Sequence, residues 1–169
     1  MNPNAWTTAG CDRRGEVLAV KPGFVPGLRA EVEVVVDESM QASFAGRVIH
    51  PLYSTWSLVH HLEYAARRVL EPYLEPHEEG VGYAVEVRHL APTPVGARVR
   101  AVAVLEAVEG NRVICRVEAF NDREKIAEGK QIQVVVDKSA FAAGSRSCSN
   151  NWRVRPVGNE ERHRRGLAA

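Results

Sequence analysis

Thr55, Glu63 and His89 are the residues of this chain whose types could carry a reaction between them. A hydroxyl, a carboxylate and an imidazole are the residue types of nucleophile, base and electrostatic partner in acyl transfer. Taken singly, each has a plainer reading. Thr55 could cap a helix, Glu63 could pair with Arg67 one turn on, and His89 could be a hydrogen-bonded core residue. The chemical reading stands only if the fold turns all three into one layer.

Residues from about Ser54 or Thr55 to about Leu74 predict a helix, opened by a hydroxyl cap and closed near Pro72. Placing successive residues about 100° apart gathers Leu58, Leu62, Ala65, Ala66, Val69, Leu70 and Tyr73 into one apolar sector. His60, Tyr64, Arg67, Arg68 and Glu71 fall opposite. Thr55 projects into the sector and Glu63 lies at its margin, partly withdrawn from water, a favourable setting for a general base. Eight residues of helix rise about 12 Å, so Thr55 and Glu63 would not touch. Either residues 55–58 depart from helix or the substrate spans the gap. Residues 81–90, VGYAVEVRHL, predict a strand with Tyr83, Val85, Val87 and His89 on one face and Glu86 and Arg88 on the other. His89 then ends an apolar face of the kind a helix covers.

Four more strands complete the pattern, at residues 28–37 before the helix and at 97–108, 112–121 and 125–137 after it. A connecting loop is expected between the first strand and the helix, through Gly46 to Pro51. Short polar turns at residues 109–111 and 121–123 suit hairpins and imply an antiparallel meander with one helix on a single face. The class is α+β, with element order βαββββ. Three zones follow: a Gly- and Pro-rich lead-in over residues 1–27, one domain over 28–141, and a basic tail over 142–169, expected to be flexible.

Composition narrows the partners. With 45% hydrophobic and 25% charged residues and a net charge of +1, no overall field points to nucleic acid or a membrane surface. The basic residues cluster from Arg146 to Arg165, more in keeping with a solvated tail than with a phosphate site. Cys11, Cys115 and Cys148 are too far apart for a disulfide scaffold, and no stretch reads as a signal peptide or membrane span, so a reduced, cytoplasmic setting is expected. His60 and His61 diverge around the helix, and no HExxH, GxGxxG or GxSxG motif is present, so no metal is expected.

Residues 53–137 resemble the hotdog-fold thioesterases, and within them the fluoroacetyl-CoA thioesterase type. The likeness is carried by the Thr-x7-Glu pair at 55 and 63, by PYLEP at 72–76, by Gly82, by HLAPTPVG at 89–96 and by the turn at Val108-Glu109-Gly110. It implies a hotdog fold, about five antiparallel strands wrapped around one long helix. It implies Thr55, Glu63 and His89 as catalytic residues and Gly82 beside the thioester. Hydrolysis of a small or medium acyl-CoA is implied, with coenzyme A entering only as part of the substrate and no further cofactor. A homodimer with its site at the interface is implied, with pairing into a tetramer left open. That family carries an aromatic lid just before its threonine; here Gly46 and Ile49 stand at those places, with Phe44 and Tyr53 out of register. The likeness therefore supports thioester hydrolysis more than a fluoroacetyl substrate. The alternative is a non-catalytic acyl-CoA-binding hotdog protein, a sensor. A hydratase of this fold would need an Asp that the segment LEPHEEGVG lacks, and a nucleic-acid adaptor would need aromatic interleaving in the tail.

Overall fold

The computed structural model describes residues 20–151, with side chains through residue 146. Most of the lead-in, with Cys11, and the tail beyond Asn151 lie outside the described residues, as does the side chain of Cys148.

Strand alternation and short turns produce a five-stranded, wholly antiparallel sheet. Its strands are β1 (Arg29–Val35), β4 (Glu78–His89), β5 (Arg98–Glu109), β6 (Arg112–Asn121) and β7 (Lys125–Asp137), in the order β1-β5-β6-β7-β4. The single long helix α1 (Thr55–Leu70) lies across one face. Its buried stripe, Leu58, Leu62, Ala65, Ala66, Val69 and Leu70, meets Val99, Ala101, Leu105, Val113, Cys115, Val117 and Ile126 from the sheet. Fully burying one such Leu or Ile contributes about 1.5–3 kcal/mol. The five strands and their helix are the architecture expected from the sequence.

Three features go beyond that expectation. The stretch read as a connecting loop forms a hairpin, β2 (Gln41–Phe44) with β3 (Arg47–Tyr53). Its turn places Ala45 and Gly46 at φ of 49° and 76°, the doubly left-handed conformation that tight hairpins need. Helix α1 ends at Leu70, and Glu71–Tyr73 form a tighter 3-10 turn with Pro72 near its start. After β7 a second helix, α2 (Lys138–Asn151), continues across the boundary drawn at residue 141.

A β-bulge in β4 decides the orientation of the candidate site. The pairing of β4 with β7 shifts between Gly82 and Ala84, with Tyr83 as the extra residue. Strict alternation would turn Gly82 and His89 to opposite faces, because they are an odd number of residues apart. With the bulge, Gly82 faces Glu63 and His89 faces Thr55, both on α1. Tyr83, expected from alternation on the face of His89, instead lies under the guanidinium of Arg112, 4.8 Å from its ring centre.

Candidate active site

The N-terminus of α1 divides two roles between neighbouring hydroxyls. Ser54, buried, is the N-cap, its Oγ accepting from the Ser57 amide at 3.2 Å. The Thr55 hydroxyl is thereby free of capping and lies 3.2 Å from Nδ1 of His89. The plain reading of Thr55 as a cap is thus taken over by Ser54. Backbone contacts hold the two ends in place: the amide of Tyr53 donates to the carbonyl of Thr93 at 2.8 Å, and Leu52 bridges Pro94. Asn121 in turn donates to the buried Thr93 hydroxyl at 3.1 Å. The loop following His89 is so tied to the segment preceding Thr55.

His89 is half-buried, and its Nε2 is shut off from solvent without a hydrogen-bond partner among the described residues. Burial holds its imidazole below the usual histidine value; the nearby His50 pushes the same way and the backbone of Ala91 opposes. A ring kept neutral, with Nδ1 facing a hydroxyl, is set to accept that hydroxyl's proton.

Glu63 stands apart from this pair. Two helical turns along α1, it makes no hydrogen bond to Thr55 or His89, and its carboxylate lies against Gly82. A methyl group at Gly82 would overlap Oε1 of Glu63. The alternative partner of Glu63 is engaged elsewhere: Arg67 donates to Glu79 at 2.8 Å and to the carbonyl of Gly80 at 3.1 Å. That contact holds the Glu79 carboxyl below its usual range. A cleft of about 200 Å³ opens here between α1 and β4, with His60, Glu63, Tyr64 and Arg67 on one wall and Gly80, Gly82 and Gln133 on the other. One chain therefore brings Thr55 to His89 and Glu63 to Gly82, but does not join the two pairs.

Two further residues lie at the site that the sequence reading gave no role. His61, buried, shares a 2.6 Å hydrogen bond between its Nδ1 and the hydroxyl of buried Tyr53. His61 sits about 40° from Ala65 around the helix, at the edge of the apolar sector, and that placement was the available signal. Among the described residues no group of three or more His, Cys, Asp or Glu is arranged to hold a metal. No helix among them is long and apolar enough to cross a membrane.

Residues 36–139 match the model of the family described as fluoroacetyl-CoA-specific thioesterase. The chain belongs to that family. It is 37% identical to the fluoroacetyl-CoA thioesterase of Streptantibioticus cattleyicolor over 92 residues, 54% of this chain, and spans 66% of that protein's length. Among solved structures it resembles a thioesterase superfamily member from Thermus thermophilus, at 41% identity and a TM-score of 0.75, covering 78% of this chain and 97% of the other. A threonine-to-serine variant of the fluoroacetyl-CoA thioesterase, solved in complex with acetyl-CoA, is 29% identical with a TM-score of 0.70, covering 74% of this chain and 98% of the other. The membership of the chain in a thioesterase family and the hotdog architecture thus agree with the expectation from residues 53–137.

Proposed function

We propose that this chain hydrolyses a short acyl-CoA thioester, with Thr55 as nucleophile, His89 as its base, Glu63 as the second carboxylate and Gly82 at the thioester. The observation that carries this reading is the contact of the Thr55 hydroxyl with Nδ1 of His89, made by a hydroxyl that helix capping does not use. Oγ1 attacks the thioester carbonyl as His89 takes its proton, and the imidazolium returns that proton to the departing CoA sulfur. The unpaired amides of the first helical turn favour the negative charge that develops on the carbonyl oxygen. Water activated by Glu63 then cleaves the acyl-threonine, regenerating the hydroxyl.

Glu63 reaches that ester from a second copy of the chain. Strand β4 is a sheet edge, and Tyr83 and Val85 on it are 41% and 46% exposed. Edges of this kind invite pairing. Antiparallel pairing of two β4 strands about a point between Val85 and Glu86 sets Gly82 of one opposite the other's His89. Both halves of the site then meet twice per dimer. The cleft beside Glu63, about 200 Å³, is small, in keeping with a short acyl chain. Acyl-CoA is the substrate class, coenzyme A being part of the substrate rather than a bound cofactor, and the cytoplasm, where CoA esters are made and used, the expected compartment.

The test is thiol release from a panel of short, branched and aromatic acyl-CoAs by the native chain and by Glu63→Ala and His89→Ala. Loss of turnover in both folded variants is the expected result. Acyl-CoA bound by the native chain with no thiol released from any ester would make the protein a binder instead.

A further inference from the structure

Behind His89 lies a pair of buried polar side chains for which the reaction above has no use. Tyr53 ends β3 and is 1% exposed; His61, on the second turn of α1, is 8% exposed. Their 2.6 Å hydrogen bond is buried, and their rings stack at 17° with centres 5.9 Å apart. The Tyr53 ring meets the His89 imidazole edge-on, centres 6.4 Å apart and planes at 78°, within the range where aromatic pairs hold a preferred geometry. Tyr53 cannot drift, because its amide is fixed to Thr93 and the next amide, of Ser54, donates to the carbonyl of Met40.

We propose that Tyr53 and His61 are positioning residues for His89: the Tyr53 ring sets the plane of the imidazole, and His61 locks that ring by accepting its hydroxyl. This rests on the reading of His89 as the base. Burying two polar groups where two apolar ones would pack is costly unless each satisfies the other, and the bond gives a ring orientation that apolar packing alone does not specify. The orientation matters because Nδ1 must stay in line with the Thr55 hydroxyl, and among the described residues Tyr53 is the aromatic neighbour that holds the His89 ring. The titratable groups that reach the two imidazoles are few. His60 and Asp37 lie beside His61, and His50 lies beside His89.

The proposal separates from a merely structural role in a cycle of three variants. Tyr53→Phe strands a buried acceptor on His61, so both melting temperature and kcat should fall. Tyr53→Phe with His61→Leu replaces both partners by apolar groups and should recover most of the melting temperature. If the pair positions His89, kcat in that folded double variant stays about tenfold below the native value while KM moves by less than about twofold. Recovery of kcat along with stability would overturn the proposal, as would a KM rise that accounts for the whole loss. His89→Ala is assayed alongside. Turnover surviving it would overturn the pair's role too, and would place the error in the assignment of His89 rather than in the pair.

Discussion

The carboxylate of Glu63 lies so close to Gly82 that a single methyl group on that glycine would occupy the space of Oε1. The glycine is therefore a spatial requirement of the glutamate, not a loosening of the strand. Gly82→Ala should leave the fold intact, since Gly82 is exposed, yet push Glu63 from its place. A displacement of about 1 Å at a catalytic group can cost about a hundredfold, so kcat should fall by roughly ten- to a hundredfold. Unchanged kcat with unchanged melting temperature would show that the contact has no part in the reaction.

Ser54 and Thr55 should respond to substitution in opposite ways. Ser54→Ala removes the N-cap and should cost about 1 kcal/mol of stability, read by denaturant unfolding, with turnover per folded molecule kept. Thr55→Val should keep stability and lose turnover, while Thr55→Ser keeps a hydroxyl for His89 and much of the rate. Full activity in Thr55→Val would exclude the threonine as nucleophile and leave direct attack by water.

Burial holds both His89 and His61 below the ordinary value of 6.5, helped by His50 and His60 respectively. His89 must be neutral to accept a proton, so the acidic limb of kcat/KM should lie below pH 6.5. A limb at or above that value would remove His89 as the base. Stability follows the same sign. As pH drops below about 6.5 the unfolded chain binds protons that the folded chain still refuses, so stability falls until the folded values are passed. Above that window these two groups add no pH dependence. Melting temperature should thus decline from pH 6.5 downward, less steeply in Tyr53→Phe/His61→Leu.

The proposed dimer makes a prediction that no single chain can meet. If Glu63 serves a site whose Thr55 and His89 lie on the other copy, Glu63→Ala and His89→Ala complement each other. Refolding them together in equal amounts gives half mixed dimers, each with one whole site, and about a quarter of native activity. If all three residues act within one chain, the mixture stays inactive. Val85→Lys, placing a charge on the exposed edge, should yield monomers in light scattering and lower activity with them.

Much of the geometry of this candidate site was legible because its residues sit on periodic elements. The apolar sector of α1 gave the direction of Glu63 at its margin, and the run Val85, Val87, His89 that of the imidazole, whereas Thr55, expected within the sector, is exposed at the helix start with its hydroxyl against His89. The hairpin β2–β3 was not legible, since most of β3 is exposed and carries no alternation, and its turn uses an Ala in a left-handed conformation. Tyr53 stood immediately before the cap, where an apolar residue often folds back on the first turns of the helix, but its hydroxyl partner could not be read from that position. The separation of Glu63 from Thr55 followed from helix rise alone, and the structure keeps it. The relation between chains proposed to join the two halves is one that periodicity within a single chain does not encode.

The bulge at Tyr83 makes β4 a matter of parity. Between Gly82 and His89 the number of residues, rather than their identity, decides whether the glycine and the imidazole look at the same helix. Closing the bulge without removing a residue would leave the two seven apart in an unbroken pleat and turn one half of the candidate site to the outer surface. The strand therefore behaves as a ruler with one extra mark: it is the bulge, not the bare length, that lets Gly82 and His89 look at the same helix.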